Sequence, residues 1–341
     1  MKGFINRRKE WNMNKQRLIG IGSILAVLGI AGCAGDEAGE GSGNLTVLLE
    51  SEDTITGGLD PGDETENIKD GWQVRYDKFI VAVGDVEVHL STDESVDAHA
   101  EAVFVVDLKT VPESGLPLWN LTNLRTGRWE FNYATPGAGD GATRHESVAQ
   151  ADFDQMRTND LTYLVVGNLS KADGKSCPPP SLAVPGTATP SGMNAAGHTC
   201  YANTAITFNF GVNAETTFGP CEVDGIPGFS IADGSTQTVA GTIHGDHIVF
   251  NGFPEGDEGG ILRLAQWLAD CDLNLDGTVT KQELEAIAPS ALGEIDSRYQ
   301  LGGSPITPLN NMWQYVTAQL KTQGHMNGEG ECPFDGMAHE D

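Results

Sequence analysis

From Trp72 onward, apolar and polar residues alternate. Trp72, Val74 and Tyr76 share one parity, residues 79–83 form a continuous apolar run, and Val86, Val88 and Leu90 alternate again. A period of two puts successive side chains on opposite faces of a strand, and an unbroken run marks a strand covered on both faces. The pattern recurs at 103–106, at Trp129, Phe131 and Tyr133, at 161–166, and at Ile206, Phe208, Phe210 and Val212, with Gly, Pro, Asn or Asp between the segments. This succession of short strands predicts a mainly β fold, a β-sandwich, over residues 71–253.

The sharpest turn signal lies in 238–250, where Gly245-Asp246 is a favoured two-residue hairpin connection. The reading is a hairpin with Val239, Ile243, Ile248 and Phe250 on the core face. His244 and His247 then flank the turn on the solvent face as a cross-strand pair, with Cβ atoms about 5 Å apart. Beyond Phe250 the period lengthens. Residues 260–271, 281–288 and 309–320 read as helices, the last with Met312, Trp313, Val316 and Leu320 on its apolar side. The expectation is a helical C-terminal region, 254–341, packed on one face or end of the β body.

Residues 33–70 are rich in Gly, Ala, Glu and Asp, with an apolar run only at 45–49, and read as a flexible acidic tether. Ahead of them, Lys2, Arg7, Arg8, Lys9, Lys15 and Arg17 form a basic head before an apolar run, 18–30, that is too short to span a bilayer. Ile30-Ala31-Gly32-Cys33 resembles a bacterial lipobox. The resemblance implies a signal peptide over 1–32, with Met1 or Met13 as its start, and a lipid on Cys33. Ala34, rather than Asp, then implies the outer membrane as destination, with the membrane as partner through the lipid. The formal net charge of −28 argues against nucleic acid and anionic headgroups and favours cations.

Export also permits disulfides. Cys177 and Cys200 bracket a Pro/Gly-rich stretch and make the first expected pair, and Cys221 with Cys332 makes the second. Cys271, at an apolar helix position, is the odd one.

The densest chemistry lies at 272–283, D-L-N-L-D-G-T-V-T-K-Q-E. Asp272, Asn274, Asp276 and Glu283 stand at positions one, three, five and twelve of a calcium loop, with Gly277 at the sharp turn. Thr278 offers its carbonyl at position seven, and Thr280 stands at position nine. Apolar flanks fall at Leu264, Trp267, Leu268 and Cys271 before the loop and at Leu284, Ile287, Ala288 and Ala291 after it. Segment 261–291 resembles the EF-hand family, which implies Ca²⁺ on those five residues. The sequence holds no second such loop, so calcium is expected to act as a structural clamp rather than a paired-hand switch.

A second metal reading starts from His244 and His247, with Asp246 nearby. His325, in G-H-M-N-G-E-G-E-C, completes a three-imidazole set that suits copper or zinc, and Met326 and Glu329 could assist. In layout the chain is similar to methanobactin-associated copper-binding lipoproteins, and its H-x-x-G-E-G-x-C ending is similar to that of uncharacterised bacterial lipoproteins. A third reading is a surface adhesion or glycan-binding module displaying Trp119 or Trp129. Gly228-Phe-Ser230-Ile-Ala232 is not a nucleophile elbow, His145-Glu146 lacks the second histidine of a metalloprotease helix, and there is no phosphate-binding glycine loop, so no motif argues for an enzyme.

Overall fold

Strand Gln73–Leu90 is the spine of the molecule. Its first half lies between Tyr163–Ser170 and Phe104–Asp107, and its second half between Gly127–Thr135 and Asp93–Ala100. The unbroken apolar run reflects burial on both faces. Phe79, Val81 and Val83 enter the main core, while Ile80 and Ala82 enter a smaller one roofed by Phe153 and Met156 of helix Gln150–Thr158. Beyond Gly84 that roof ends, and the pattern returns to the alternation of Val86, Val88 and Leu90.

The computed structural model describes residues 40–253, 261–293, 295–301 and 309–334. The expected signal peptide, 1–32, and its lipid acceptor Cys33 lie outside the described residues. The described chain is mainly β. Its largest sheet runs Thr216–Phe218, Gly127–Thr135, Gln73–Leu90, Tyr163–Ser170, Ala205–Val212 and Thr278–Val279, with further strands pairing off this path. A second sheet runs Gly324–Met326, Thr236–Ile243, Ser42–Ser51 and Leu116–Arg125. Leu45, Val47 and Val239 of the second sheet share one core with Val81, Phe131 and Phe208 of the first.

Two sequence expectations are corrected by the structure. The acidic tether is in large part structure. Strand Ser42–Ser51 lies inside the second sheet, parallel to Thr236–Ile243 and antiparallel to Leu116–Arg125. Leu45, Val47 and Leu49 are buried, and so are Ile55, Leu59 and Ile68. Thr46 alternates with Leu45 and Val47 in a short period-two segment, flanked by glycine and acidic residues, that two neighbouring strands complete. Trp267, Leu284 and Tyr315 of the C-terminal segment belong to the same core as the strands, and the Trp313 ring meets Phe210 edge-on at 5.8 Å. The helices of that segment are shorter than the periodicity suggests. They span Gln266–Ala269, Lys281–Ala286, Pro289–Gly293 and Met312–Leu320. Pro289, which has no amide proton to donate, starts a new turn instead of extending the one before it.

The disulfides are Cys177–Cys200 and Cys221–Cys332, and Cys271 is free and buried. The second bond ties the stretch following His325 back to the β body. No helix among the described residues is long and apolar enough to cross a membrane.

Candidate metal centre

His325 lies on strand Gly324–Met326, directly opposite Thr242 of the antiparallel strand Thr236–Ile243. Opposite residues share a face, and so do residues two apart on one strand. His244 therefore projects on the same side as His325, held by its amide donating to the Gln323 carbonyl at 3.0 Å. The two rings stack, with centroids 4.0 Å apart and planes 25° from parallel. The 3₁₀ turn His247–Val249 then folds His247 beneath the pair. Its ring stands edge-on to His244 at 5.8 Å and to His325 at 5.7 Å. One ligand nitrogen from each of the three lies within 4.8 Å of the others.

This arrangement replaces the predicted hairpin. Val239, Ile243, Ile248 and Phe250 are buried as expected, but His244 and His247 are buried too, at 3% and 1% exposure, and do not face solvent. Gly245-Asp246 is not a hairpin turn. A Cβ at Gly245 would stand 2.5 Å from the Ile55 side chain, so glycine is there for close approach. Asp246 is fully buried, and its carboxylate accepts from Arg263 Nε at 2.6 Å and Nη2 at 2.5 Å. The Arg263 guanidinium also covers the Phe250 ring at 5.1 Å, and Phe250 stacks on His247 at 4.4 Å. Asp246 is thus near the imidazoles but committed to Arg263. Met326 is buried next to His325 in the strand, so it falls on the opposite face of the sheet.

Hydrogen bonds fix which nitrogen of the His247 and His244 rings carries the lone pair. Thr322 gives its one hydroxyl proton to the Gln319 carbonyl at 2.9 Å. The 2.8 Å contact between Thr322 Oγ1 and His247 Nδ1 therefore has Nδ1–H as donor, which leaves the His247 lone pair on Nε2. His244 Nε2 lies 3.2 Å from the Gly328 carbonyl, which can only accept, so the His244 lone pair is on Nδ1. A backbone carbonyl or hydroxyl behind each ring is the usual means by which a protein orients imidazole ligands. Thr322→Val removes the acceptor behind His247 while preserving shape, and should weaken metal binding by about 10–100-fold. A competition titration against a chelator of known affinity measures the change.

His244 also faces carboxylates. Its Nδ1 is 3.5 Å from Glu52 Oε2. Glu52, His244 and Glu329 form a second group of ligand atoms within 4.8 Å of one another, and these two groups are the only such sets of three among the described residues. Burial opposes charge on His244, but Glu52, Asp246, Glu329 and the Gly328 carbonyl together outweigh it and raise its pKa. Burial pushes Glu52 upward in turn, with His244 opposing. Glu52, Thr322, Arg263 and the Gly328 carbonyl escaped the sequence reading. Glu52 was hidden in the supposed tether, and the others act through contacts far apart in sequence.

The polar side chains of loop 272–283 bond the backbone amides of the same loop. The Asp272 carboxylate accepts from the amides of Asp276 at 3.2 Å and Gly277 at 2.9 Å, and from Asn203 Nδ2 at 2.8 Å. Gly277 has φ of +81°, the left-handed turn that its position requires. Asn274 Oδ1 accepts from the Asp276 amide at 2.8 Å, and Asp276 Oδ1 from the Thr278 amide at 2.9 Å. Thr278–Val279 pairs in parallel with Thr207 and Phe208, which ties the loop to a strand of the large sheet.

Glu283 departs most from a calcium ligand. One of its oxygens accepts from the Leu273 amide at 3.0 Å, and the other closes a capping box with Thr280. The acids of this loop therefore hold backbone amides and do not form a convergent set of three. Of the flanks, Leu264, Trp267, Leu268, Cys271, Leu284 and Ile287 are buried and Ala291 is half-buried, but Ala288 is exposed because the helix has ended at Ala286. Trp119 and Trp129 are buried, so neither presents an aromatic platform for a glycan.

No family model matches the chain, and no curated protein or solved structure is similar to it.

Proposed function

We propose that this is an exported protein that binds a transition-metal ion, copper or zinc, on His244, His247 and His325. One observation carries the proposal: two of these imidazoles are fully buried and the third half-buried, and their nitrogens converge to within 4.8 Å although His325 comes from a segment some eighty residues beyond His244 and His247. Neutral imidazole suits copper and zinc better than calcium or magnesium, which prefer oxygen. The ring orientations fixed by Thr322 and Gly328 support the same reading. Export is supported by the two disulfides, which persist in oxidising compartments. Anchoring by a lipid on Cys33 at the outer membrane, with the two sheets packed as a sandwich, completes the proposed picture.

The test is metal uptake by chelator-stripped protein in millimolar calcium. Binding of about one equivalent of copper or zinc, undiminished by calcium, is expected of an all-imidazole site. Uptake that calcium abolishes would exclude it.

Calcium at 272–283 is the second reading, favoured by the ladder between Thr278–Val279 and Thr207–Phe208. An ion on Asp272, Asn274, Asp276, Thr278 and Glu283 would draw Glu283 off its amides and clamp the C-terminal segment to the large sheet. Ligand held only by the folded state adds RT ln(1 + [Ca²⁺]/Kd), about 1.4 kcal/mol at tenfold excess. Thermal unfolding should show a calcium-dependent rise in Tm that Glu283→Gln removes. An equal rise in the variant would dismiss the clamp.

A further inference from the structure

We infer that Glu329 and Glu52 form an entry site for the metal ion, handing it to the buried imidazoles through His244, the one ligand common to both groups. The inference rests on the three-imidazole reading and adds a route to it. The two groups of convergent ligands, His244–His247–His325 and Glu52–His244–Glu329, meet in a single ring. They differ in depth. Glu329 is exposed, the Glu52 side chain keeps 17% of its exposure, and the His244 side chain keeps 4%. The sequence of ligands from solvent inward is thus carboxylate, carboxylate, imidazole, and then the other two imidazoles.

The chemistry follows that order. A hydrated divalent cation exchanges water readily for carboxylate oxygen, and an exposed acid attracts it over a distance set by ionic strength. Imidazole is the better partner for copper or zinc once the ion is partly dehydrated. Because His244 belongs to both sets, the ion can exchange the two carboxylates for His247 and His325 without letting go of the protein.

The backbone builds this arrangement deliberately. Met326 and Gly330 bond each other's amides and carbonyls at 2.9 Å, closing a tight turn over residues 327–329. The Gly328 amide donates to Thr242 Oγ1 at 2.9 Å, and its carbonyl faces His244 Nε2. The turn therefore fixes Glu329 above the same ring that its neighbour orients. Glu52 is held from the other side, its carboxylate accepting from the Thr54 hydroxyl at the start of helix Asp53–Thr56.

Stopped-flow mixing with Zn²⁺ alone tests the route, using wild type, Glu329→Gln, Glu52→Gln/Glu329→Gln and His325→Ala. An entry site changes association and dissociation together and leaves the equilibrium nearly untouched. Removing both carboxylates should slow association by about tenfold, at the low end of electrostatic steering, and flatten its dependence on salt. The dissociation constant should stay within about threefold of wild type, well short of the loss expected for a removed ligand. Gln keeps an acceptor for Thr54, and the exposed Glu329→Gln variant alone should show part of the slowing with no demand on folding. Unchanged association in both carboxylate variants overturns the route. So does a double variant that loses affinity as completely as His325→Ala, since the carboxylates would then be permanent ligands. His325→Ala with wild-type affinity overturns the three-imidazole site itself, and is read from the equilibrium rather than the rate.

Discussion

His325→Ala is expected to lose transition-metal affinity by well over a hundredfold, more than the 10–100-fold typical of an outer partner. Two features make the effect large. His325 stacks on His244 at 4.0 Å, so its loss opens a gap beside the remaining ligand as well as removing a nitrogen. It is also the only member of the set supplied by the C-terminal strand, and without it the two remaining imidazoles both come from the stretch after Ile243. The fold should survive, since His325 is half-buried and strand Gly324–Met326 is held by backbone pairing and by the nearby Cys221–Cys332 bond. The Tyr133 hydroxyl donates to the His325 backbone carbonyl at 3.0 Å, a contact the substitution leaves in place. Isothermal titration of the variant with zinc, beside an unchanged far-UV spectrum, checks both halves. Retained affinity would mean that the imidazoles are not the ligands.

Arg263→Met is expected to cost about 3–5 kcal/mol of folding stability, the usual consequence of stranding one member of a buried ion pair. Asp246 is fully buried and Arg263 nearly so, and the two bond through Nε and Nη2 at once. Methionine fills comparable volume but leaves the Asp246 carboxylate without its cation, beside Glu52 and the imidazoles. The loss should also reach the metal site, because Arg263, Phe250 and His247 form one stack. Urea unfolding of Arg263→Met and of Arg263→Met/Asp246→Asn measures the effect. The double variant should recover much of the stability, since the stranded charge is gone. A single variant within 1 kcal/mol of wild type would contradict this account of the pair.

Much of the strand content could be read from the chain because burial imposed a period that composition did not hide. The run at 79–83 was continuous because two cores flank it, and Val86, Val88 and Leu90 alternated because only one does. The same logic failed at 45–49, where Gly and acidic neighbours outweighed a short period-two signal. The histidines are recognisable as a set by residue type, with His244 and His247 close in sequence and His325 in the Gly-rich C-terminal stretch. Their burial was not, because it depends on the parallel pairing of Ser42–Ser51 with Thr236–Ile243, a contact some 190 residues apart that no local pattern encodes. Gly245-Asp246 misled for a related reason. Each residue has turn chemistry locally, yet tertiary contacts with Ile55 and Arg263 decide their conformation. The calcium-loop spacing at 272–283 could be read because it is local, whatever the segment binds. What its sequence did not reveal is that Glu283 has a capping role in which both its oxygens serve the backbone.

X-ray absorption at the zinc edge of the stripped and reloaded protein tests the central claim most directly. The account predicts nitrogen scatterers at about 2.0–2.1 Å with the outer-shell pattern of imidazole, fitting three rings. A first shell of oxygen alone, with no imidazole pattern, would contradict it.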